Sequence, residues 1–179
     1  MRIIAGTARG VRLASPPDQE IRPTLDRIRE SLFNIIAPEV PGGRFLDLFA
    51  GTGANGLEAL SRGAGEVTFV DDTSRALELV RENLRRTRLT GRVTCLQLKL
   101  PQGIRRLNGP FDIIFADPPY RYGAYLDLLE TIGSLKLLAP QGMTIVEHDR
   151  KSAIPPSAGT LKQFRQKRYG DTVLSFFSA

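Results

Sequence analysis

The sequence predicts an α/β protein: a doubly wound, mostly parallel seven-stranded sheet, with a C-terminal antiparallel hairpin and a small N-terminal β-hairpin arm. Three observations lead there. From residue 44 onward, short apolar runs alternate with segments of helical periodicity, the pattern of a parallel sheet covered on both faces. A glycine turn, Gly51-Thr52-Gly53, follows the first of these runs. The last two runs are joined by Gly170-Asp171, a connection so short that the two strands must be antiparallel.

Composition bounds the rest. With 179 residues, 41% of them hydrophobic, the chain suits one domain with a packed interior. No apolar run approaches the ~18 residues of a membrane span. The apolar part of Met1–Gly6 is too short for a signal peptide, so a cytoplasmic protein without a membrane partner is expected. One cysteine, Cys95, excludes an internal disulfide. One cysteine and one histidine, His148, cannot build a four-ligand structural zinc site, so no metal is expected. A monomer is expected. The net charge is +6 and the pI about 9.9. Of the 25 basic residues, 20 are Arg, whose planar fork suits phosphates and stacks on bases. That bias fits a polyanionic partner, and equally a solvated Arg-rich surface; charge alone does not choose.

Taken in order, residues 1–23 form a basic arm, expected to contact RNA, and residues 24–179 the catalytic domain. Arg2–Gly6 and Gly10–Leu13 flank turn formers and are expected to pair. A helix follows Pro23, with Thr24 as its expected cap, Asp26 in its first turn, and Ile28, Leu32, Ile35 and Ile36 on its buried face. Phe45–Leu48 is the first strand and Leu57–Leu60 lies in the helix after the glycine turn. Val67–Val70 is the second strand, and Ser74 is expected to cap a helix running through Leu77, Val80 and Leu84. Val93–Leu96 is the third strand, with a short helix near Ile104–Leu107 after it. Phe111–Ala116 is the fourth strand, residues 124 to 138 a helix, and Met143–Glu147 the fifth strand. Lys162–Tyr169 and Thr172–Phe177 form the final hairpin.

Ligands of such sheets bind beyond the carboxyl ends of the strands, where strand order reverses. Gly51 and Gly53 let the backbone approach a ligand closely. Asp71 ends the second strand about 20 residues on, where nucleotide-binding folds place the acceptor of ribose hydroxyls. Gly51, Gly53 and Gly56 do fit the dinucleotide spacing, but Asp47, inside the strand that enters the turn, would repel a pyrophosphate. A carboxylate is costly to bury, so Asp47 is expected to orient the loop or to face the cofactor. A zwitterion carrying a cationic sulfonium suits it, which favours S-adenosylmethionine over a nicotinamide dinucleotide. Asp47, Phe49, Gly51, Gly53 and Asp71 are the expected cofactor residues.

Asp117-Pro118-Pro119-Tyr120 directly follows the fourth strand and is the expected catalytic loop. Two prolines stiffen it and hold the Asp117 carboxylate and the Pro118 carbonyl as convergent acceptors. An exocyclic base amine offers two hydrogens to them. Its lone pair, otherwise conjugated into the ring, is then freed towards a methyl donor held in line. Tyr120 gives a face on which an unpaired or flipped base can stack.

Blocks along nearly the whole chain resemble one family. They are Arg2–Gly6 with Arg9-Gly10, Arg22-Pro23-Thr24 with Arg27, Arg29-Glu30 and Leu32-Phe33-Asn34, Asp47–Gly53, Gly56–Ala64, Asp117–Tyr120, Glu147-His148 and Arg168–Thr172. The chain resembles the bacterial 16S rRNA guanine-N2 methyltransferases that act on the small ribosomal subunit. The resemblance implies a Rossmann-like class I methyltransferase fold, S-adenosylmethionine as donor, guanine N2 as acceptor, and a substrate presented on a small subunit or its assembly intermediate. It implies that Asp117 and Tyr120 hold the amine and that Gly51, Gly53 and Asp71 touch the cofactor. The chain departs from the family after the third strand, where Gln97-Leu98-Lys99 replaces the usual acid that contacts adenine.

Arg9, Arg12, Arg22, Arg27 and Arg29 are expected to grip phosphates, a source of affinity and register but not of sequence choice. Arg81, Arg85 and Arg88 read as a solvated helix face, His148 as a satisfied structural histidine, and Cys95 as a core strand residue. Methylation of adenine N6 or cytosine N4 in DNA, and a non-catalytic RNA-binding assembly factor, are the alternatives.

Overall fold

In the computed structural model, which describes residues 1–16, 23–119 and 122–179, eight strands form one sheet in the order β3-β2-β1-β4-β5-β8-β7-β6. They are β1 Arg44–Leu48, β2 Glu66–Asp71, β3 Arg92–Gln97, β4 Phe111–Ala116, β5 Leu138–Asp149, β6 Ser157–Ala158, β7 Leu161–Tyr169 and β8 Thr172–Ser178. The first five are parallel; β8 pairs antiparallel with β5, β7 antiparallel with β8, and β6 antiparallel with β7. The sheet is therefore mixed and has eight strands, not seven. The extra strand, β6, is two residues long, too short for any period-2 pattern to announce it. Strand β5 starts five residues before the expected Met143, because Leu138 pairs with Phe111 across a register shift.

The sheet separates two apolar layers by the alternation of its side chains. On one face, Phe45, Phe69, Ile113, Phe115, Ile145, Leu174 and Phe176 pack under helices α1 Pro23–Ile35, α2 Ala54–Ser61 and α3 Ser74–Thr87. On the other, Leu46, Leu48, Val70, Ile114, Val146 and Phe177 pack against α4 Tyr125–Ser134 and a 3-10 turn, Gln102–Arg106. That turn is the short helix expected near Ile104, wound as a 3-10 helix. Helix α1 begins at Pro23, so Thr24 lies inside the first turn and is not its cap. The cap of α3 is Thr73, not Ser74: its hydroxyl accepts from the Ala76 amide at 3.2 Å. Helix α4 stops at Ser134, short of residue 138, because Leu138 has joined the sheet.

The N-terminal arm pairs as expected over a short reach: one antiparallel bridge joins Arg2 with Arg12, and the Ile3, Gly10 and Leu13 amides donate to the Val11, Ile3 and Met1 carbonyls at 3.0, 2.9 and 3.2 Å. Its apolar side chains, Ile3, Ala8 and Leu13, are buried in the same core as α1–α3. Buried polar side chains fasten it. The Glu58 carboxylate accepts from the Ile4 and Ala5 amides at 2.7 and 3.0 Å. Asn83, fully buried on α3, accepts from the Ala14 amide and donates to the carbonyls of Ala14 and Thr52. Among the described residues, no helix is long and apolar enough to cross a membrane, and no group of His, Cys, Asp and Glu could hold a metal ion.

Candidate active site

The chain runs β1, β2, β3 towards one edge and then β4, β5 towards the other, so the order reverses between β1 and β4. Four carboxylates gather at the carboxyl ends of the strands around this crevice: Asp71 on β2, Asp47 on β1, Asp117 after β4 and Glu147 on β5. Alternation puts all four on the side of the sheet that carries α1–α3. Phe69, Phe45, Phe115 and Ile145 precede them by two residues and are buried on that side. Register aligns them further. Leu48 pairs with Ala116 and Ala116 with Val146, so Asp117 and Glu147 follow adjacent paired positions.

Each expected cofactor residue has a definite place. Asp47 is only 2% exposed, and its carboxylate accepts from the Gly56 amide at 2.8 Å, which pins the first turn of α2. That is the position of a loop orienter. Asp71 accepts from the Gly51 amide at 3.0 Å and from the Thr73 amide and hydroxyl, so one carboxylate ties the glycine turn to the start of α3. Gly51 and Gly53 have φ of +54 and +77. A Cβ on Gly53 would meet Val80 at 3.0 Å, whereas one on Gly51 would come no closer to any neighbour than 4.0 Å. The outer side of the turn is therefore open. Phe49 also sits at positive φ, +60, an uncommon conformation for an aromatic residue. Its ring packs edge-on against Tyr122, 5.2 Å between centroids, and Tyr122 packs on Tyr125 in the same way at 5.3 Å. The aromatic row joins the glycine turn to the segment after β4.

In the expected catalytic loop, Asp117 is exposed, Pro118 buried and Pro119 exposed. The Pro119 carbonyl accepts from the Tyr122 amide at 2.8 Å. The Pro118 carbonyl accepts no hydrogen bond from the described residues. Tyr120, the expected stacking residue, lies outside the described residues, as does Arg22.

The rim is short of positive charge. Burial pushes the Asp47 carboxyl up to about 8, helped by the Asp117 and Asp71 charges and opposed by the Gly56 bond. Glu147 rises to about 8, first by burial and then by the Asp117 charge, with Arg29 pulling the other way. Asp117 is raised too, by the protein mass around it, although water reaches it and screens it in part. Burial, with mutual repulsion at Asp47 and Glu147, thus disfavours the charged forms of all three acids. A ligand with cationic groups relieves this imbalance and a phosphate worsens it, so the donor set fits S-adenosylmethionine. Asp71 and the open Gly51 turn would hold it, with Asp47 behind them. Beyond β3, Gln97 donates to the Asp72 carbonyl at 3.0 Å, so its amide is engaged within the strand ends.

Arg9, Arg12 and Arg27 are exposed. Arg9 and Arg27 line one notch with Arg2, and Arg12 is not among its lining residues. Arg29 is a correction. It is 5% exposed, donates to the Arg2 carbonyl and to Asp26, and lies 3.8 Å from Glu58, so it braces the arm and cannot reach a phosphate. His148 is structural as expected, with Nδ1 on the Asp149 carbonyl and Nε2 on the Ser175 hydroxyl. Cys95 is half-buried against the core. Glu147 was missed as a site residue. The available signal was that it ends the fifth strand as Asp117 ends the fourth.

Residues 1–178 match the family described as conserved hypothetical protein 95. A Bacillus subtilis (strain 168) protein, YlbH, described as a candidate rRNA methyltransferase, is 38% identical over 181 residues, covering 99% of this chain and 98% of that one. Ribosomal RNA small subunit methyltransferase D of Escherichia coli (strain K12) is 32% identical over 177 residues, covering 99% and 89%. A solved Escherichia coli structure, the candidate methyltransferase yhhF, superposes with a TM-score of 0.83 at 31% identity, covering 99% of this chain and 96% of that one.

Proposed function

This chain belongs to the family described as conserved hypothetical protein 95, and from that premise we propose that it transfers a methyl group from S-adenosylmethionine to guanine N2 in 16S rRNA. The observation that carries the reading is the Asp117-Pro118-Pro119 turn. It stands on the same side of the sheet as Asp47 and Asp71, across the point where strand order reverses. The names of both relatives support an rRNA substrate, and that of the Escherichia coli relative supports the small subunit.

The residues divide the task. Asp71 fixes the glycine turn, and Asp47 holds the start of α2 behind it. The bound cofactor supplies an electrophilic methyl on a sulfonium. Asp117 and the Pro118 carbonyl accept the two amine hydrogens, so that the nitrogen lone pair turns out of conjugation and points at the methyl carbon. As the N–C bond forms, the methyl–sulfur bond would break with its electron pair left on sulfur as a neutral thioether, and the surplus amine proton would leave towards Asp117. Tyr120 stacks on the flipped guanine. Arg9, Arg12, Arg22 and Arg27 hold flanking phosphates, with the arm of residues 1–23 as the RNA-contacting part. The protein acts as a monomer in the cytoplasm, on the small subunit or its assembly intermediate.

Incubation with tritiated cofactor and unmethylated small subunits tests this. The expected result is label in N2-methylguanine of 16S rRNA, at least 100-fold slower for Asp117→Ala, on the scale of losing a positioned acceptor. Label confined to duplex DNA, or rRNA labelling that Asp117→Ala leaves unchanged, would overturn it.

A further inference from the structure

Strand β7 carries Lys162, Arg165, Lys167 and Arg168 and no acidic residue between Leu161 and Gly170. Among the described residues, none of the four is paired with a carboxylate, whereas Arg2, Arg29, Arg44, Arg62, Arg86, Arg92 and Arg150 all are. Beyond the short contact with β6, residues 163–169 have no strand on their outer side. A solvated edge strand commonly carries charge to prevent edge-to-edge aggregation. That purpose is served by either sign, and four cations without an acid exceed it.

Two further details point to a ligand with phosphates and bases. Arg165 lies over the Phe176 ring, 5.8 Å from its centroid, so its planar fork is held in place before any partner arrives. Phe164, 56% exposed, leans on the same ring at 6.2 Å. Arg165 and Lys167 face the α1 side, opposite Phe176 and Leu174, and are about 6.6 Å apart along the strand, close to the separation of successive phosphates. The surface is continuous with the arm. Tyr169, at the end of β7, borders a groove of about 490 Å³ with Ser31, Asn34 and Arg27, and Arg27 also borders the notch of Arg2 and Arg9.

We infer that Arg165, Lys167 and Phe164 of β7 form a second RNA-binding surface, which grips rRNA backbone away from the methyl-transfer crevice and sets the enzyme's reach on its substrate. This rests on the rRNA reading above. The test is the double charge reversal Arg165→Glu/Lys167→Glu, with the neutral pair Arg165→Gln/Lys167→Gln as a second variant should the reversal fail to fold. Expected for both are a roughly 10-fold or greater rise in KM for small subunits, and a log-log salt slope of binding shallower by about two. Expected unchanged are kcat at saturation and the calorimetric affinity for S-adenosylmethionine. Phe164→Ala should raise KM several-fold through lost stacking. Unchanged KM and salt slope in either double variant would overturn the inference. Filter binding to small subunits is read in parallel. A wild-type enzyme that binds them without labelling rRNA would count against the methylation reading, while the variants would still decide the role of β7.

Discussion

Asp47 shows how a buried acid can cost stability over a wide pH range. Its ordinary value of 3.8 is raised to about 8 in the folded protein, so between those values the native chain holds a proton that the unfolded chain has released. Stability from this position is therefore greatest below about pH 4 and falls as the pH rises towards 8. Asn in its place could still accept from the Gly56 amide and would not ionise. Asp47→Asn should be more stable than the native protein at pH 8, by on the order of a few kcal/mol, with the difference vanishing in acid. Its affinity for the cationic cofactor should fall. Urea titrations at both ends of that range, with calorimetry, would check both halves.

At the same scale, the raised Asp117 carboxyl sets a pH profile. In the proposed reaction Asp117 acts ionised, and burial raises its pKa, so activity should disappear as the pH falls through that raised value. Burial is the cause of the Asp117 shift, so Glu147→Gln should keep the acid limb of the kcat profile in place. A limb displaced to lower pH would mean that the Glu147 charge contributes to it.

Among the elements, the arm and the glycine turn are one mechanical unit through α3. Asn83 binds Ala14 at both its amide and its carbonyl, and holds the Thr52 carbonyl in the middle of the turn. Helix α3 supplies the anchor because Leu77, Val80 and Asn83 recur on one buried face, fixed at the N-terminal end by the Thr73 cap. Asn83→Ala leaves those backbone groups without their partner, at about 1–3 kcal/mol for each one buried. We expect a loss of roughly 2–4 kcal/mol in urea denaturation, together with weaker cofactor binding, because the turn loosens. A loss of stability with unchanged cofactor affinity would show that the arm and the turn are not coupled.

The whole molecule divides its charge. Carboxylates surround the crevice, while cations that form no ion pair with a described residue lie away from it, among them Arg9 and Arg12 on the arm, Arg27 on α1, Arg75 and Arg81 on α3, and Arg165 and Lys167 on β7. Binding of small subunits should weaken steeply with salt, because each phosphate contact releases counterions. Cofactor binding, made at a sheltered rim, should respond far less. Parallel salt titrations of KM for small subunits and of Kd for S-adenosylmethionine would show whether the two surfaces act independently. Equal salt slopes would refute the separation.

Local chemistry settled a large part of this protein in advance. Alternating periods from residue 44 dictated a two-sided sheet, because each strand must bury both faces and each helix one. The positions of Gly51, Gly53, Asp71 and Asp117-Pro118-Pro119 at the strand ends were legible because tight turns and rigid prolines mark where a strand stops; their part in the reaction belongs to the proposal. Distance along the chain hid the rest. Arg29 read like any other arginine of the basic arm until folding set it beside Asp26 and Glu58. Glu147 gained its role from a neighbour 30 residues away, placed there by the pairing of β4 with β5. The two-residue β6 and the early start of β5 were decided by partners in space, and no one-dimensional pattern encodes a partner in space; the choice of Thr73 over Ser74 as cap was local, fixed by bonds to Ala76 and Asp71.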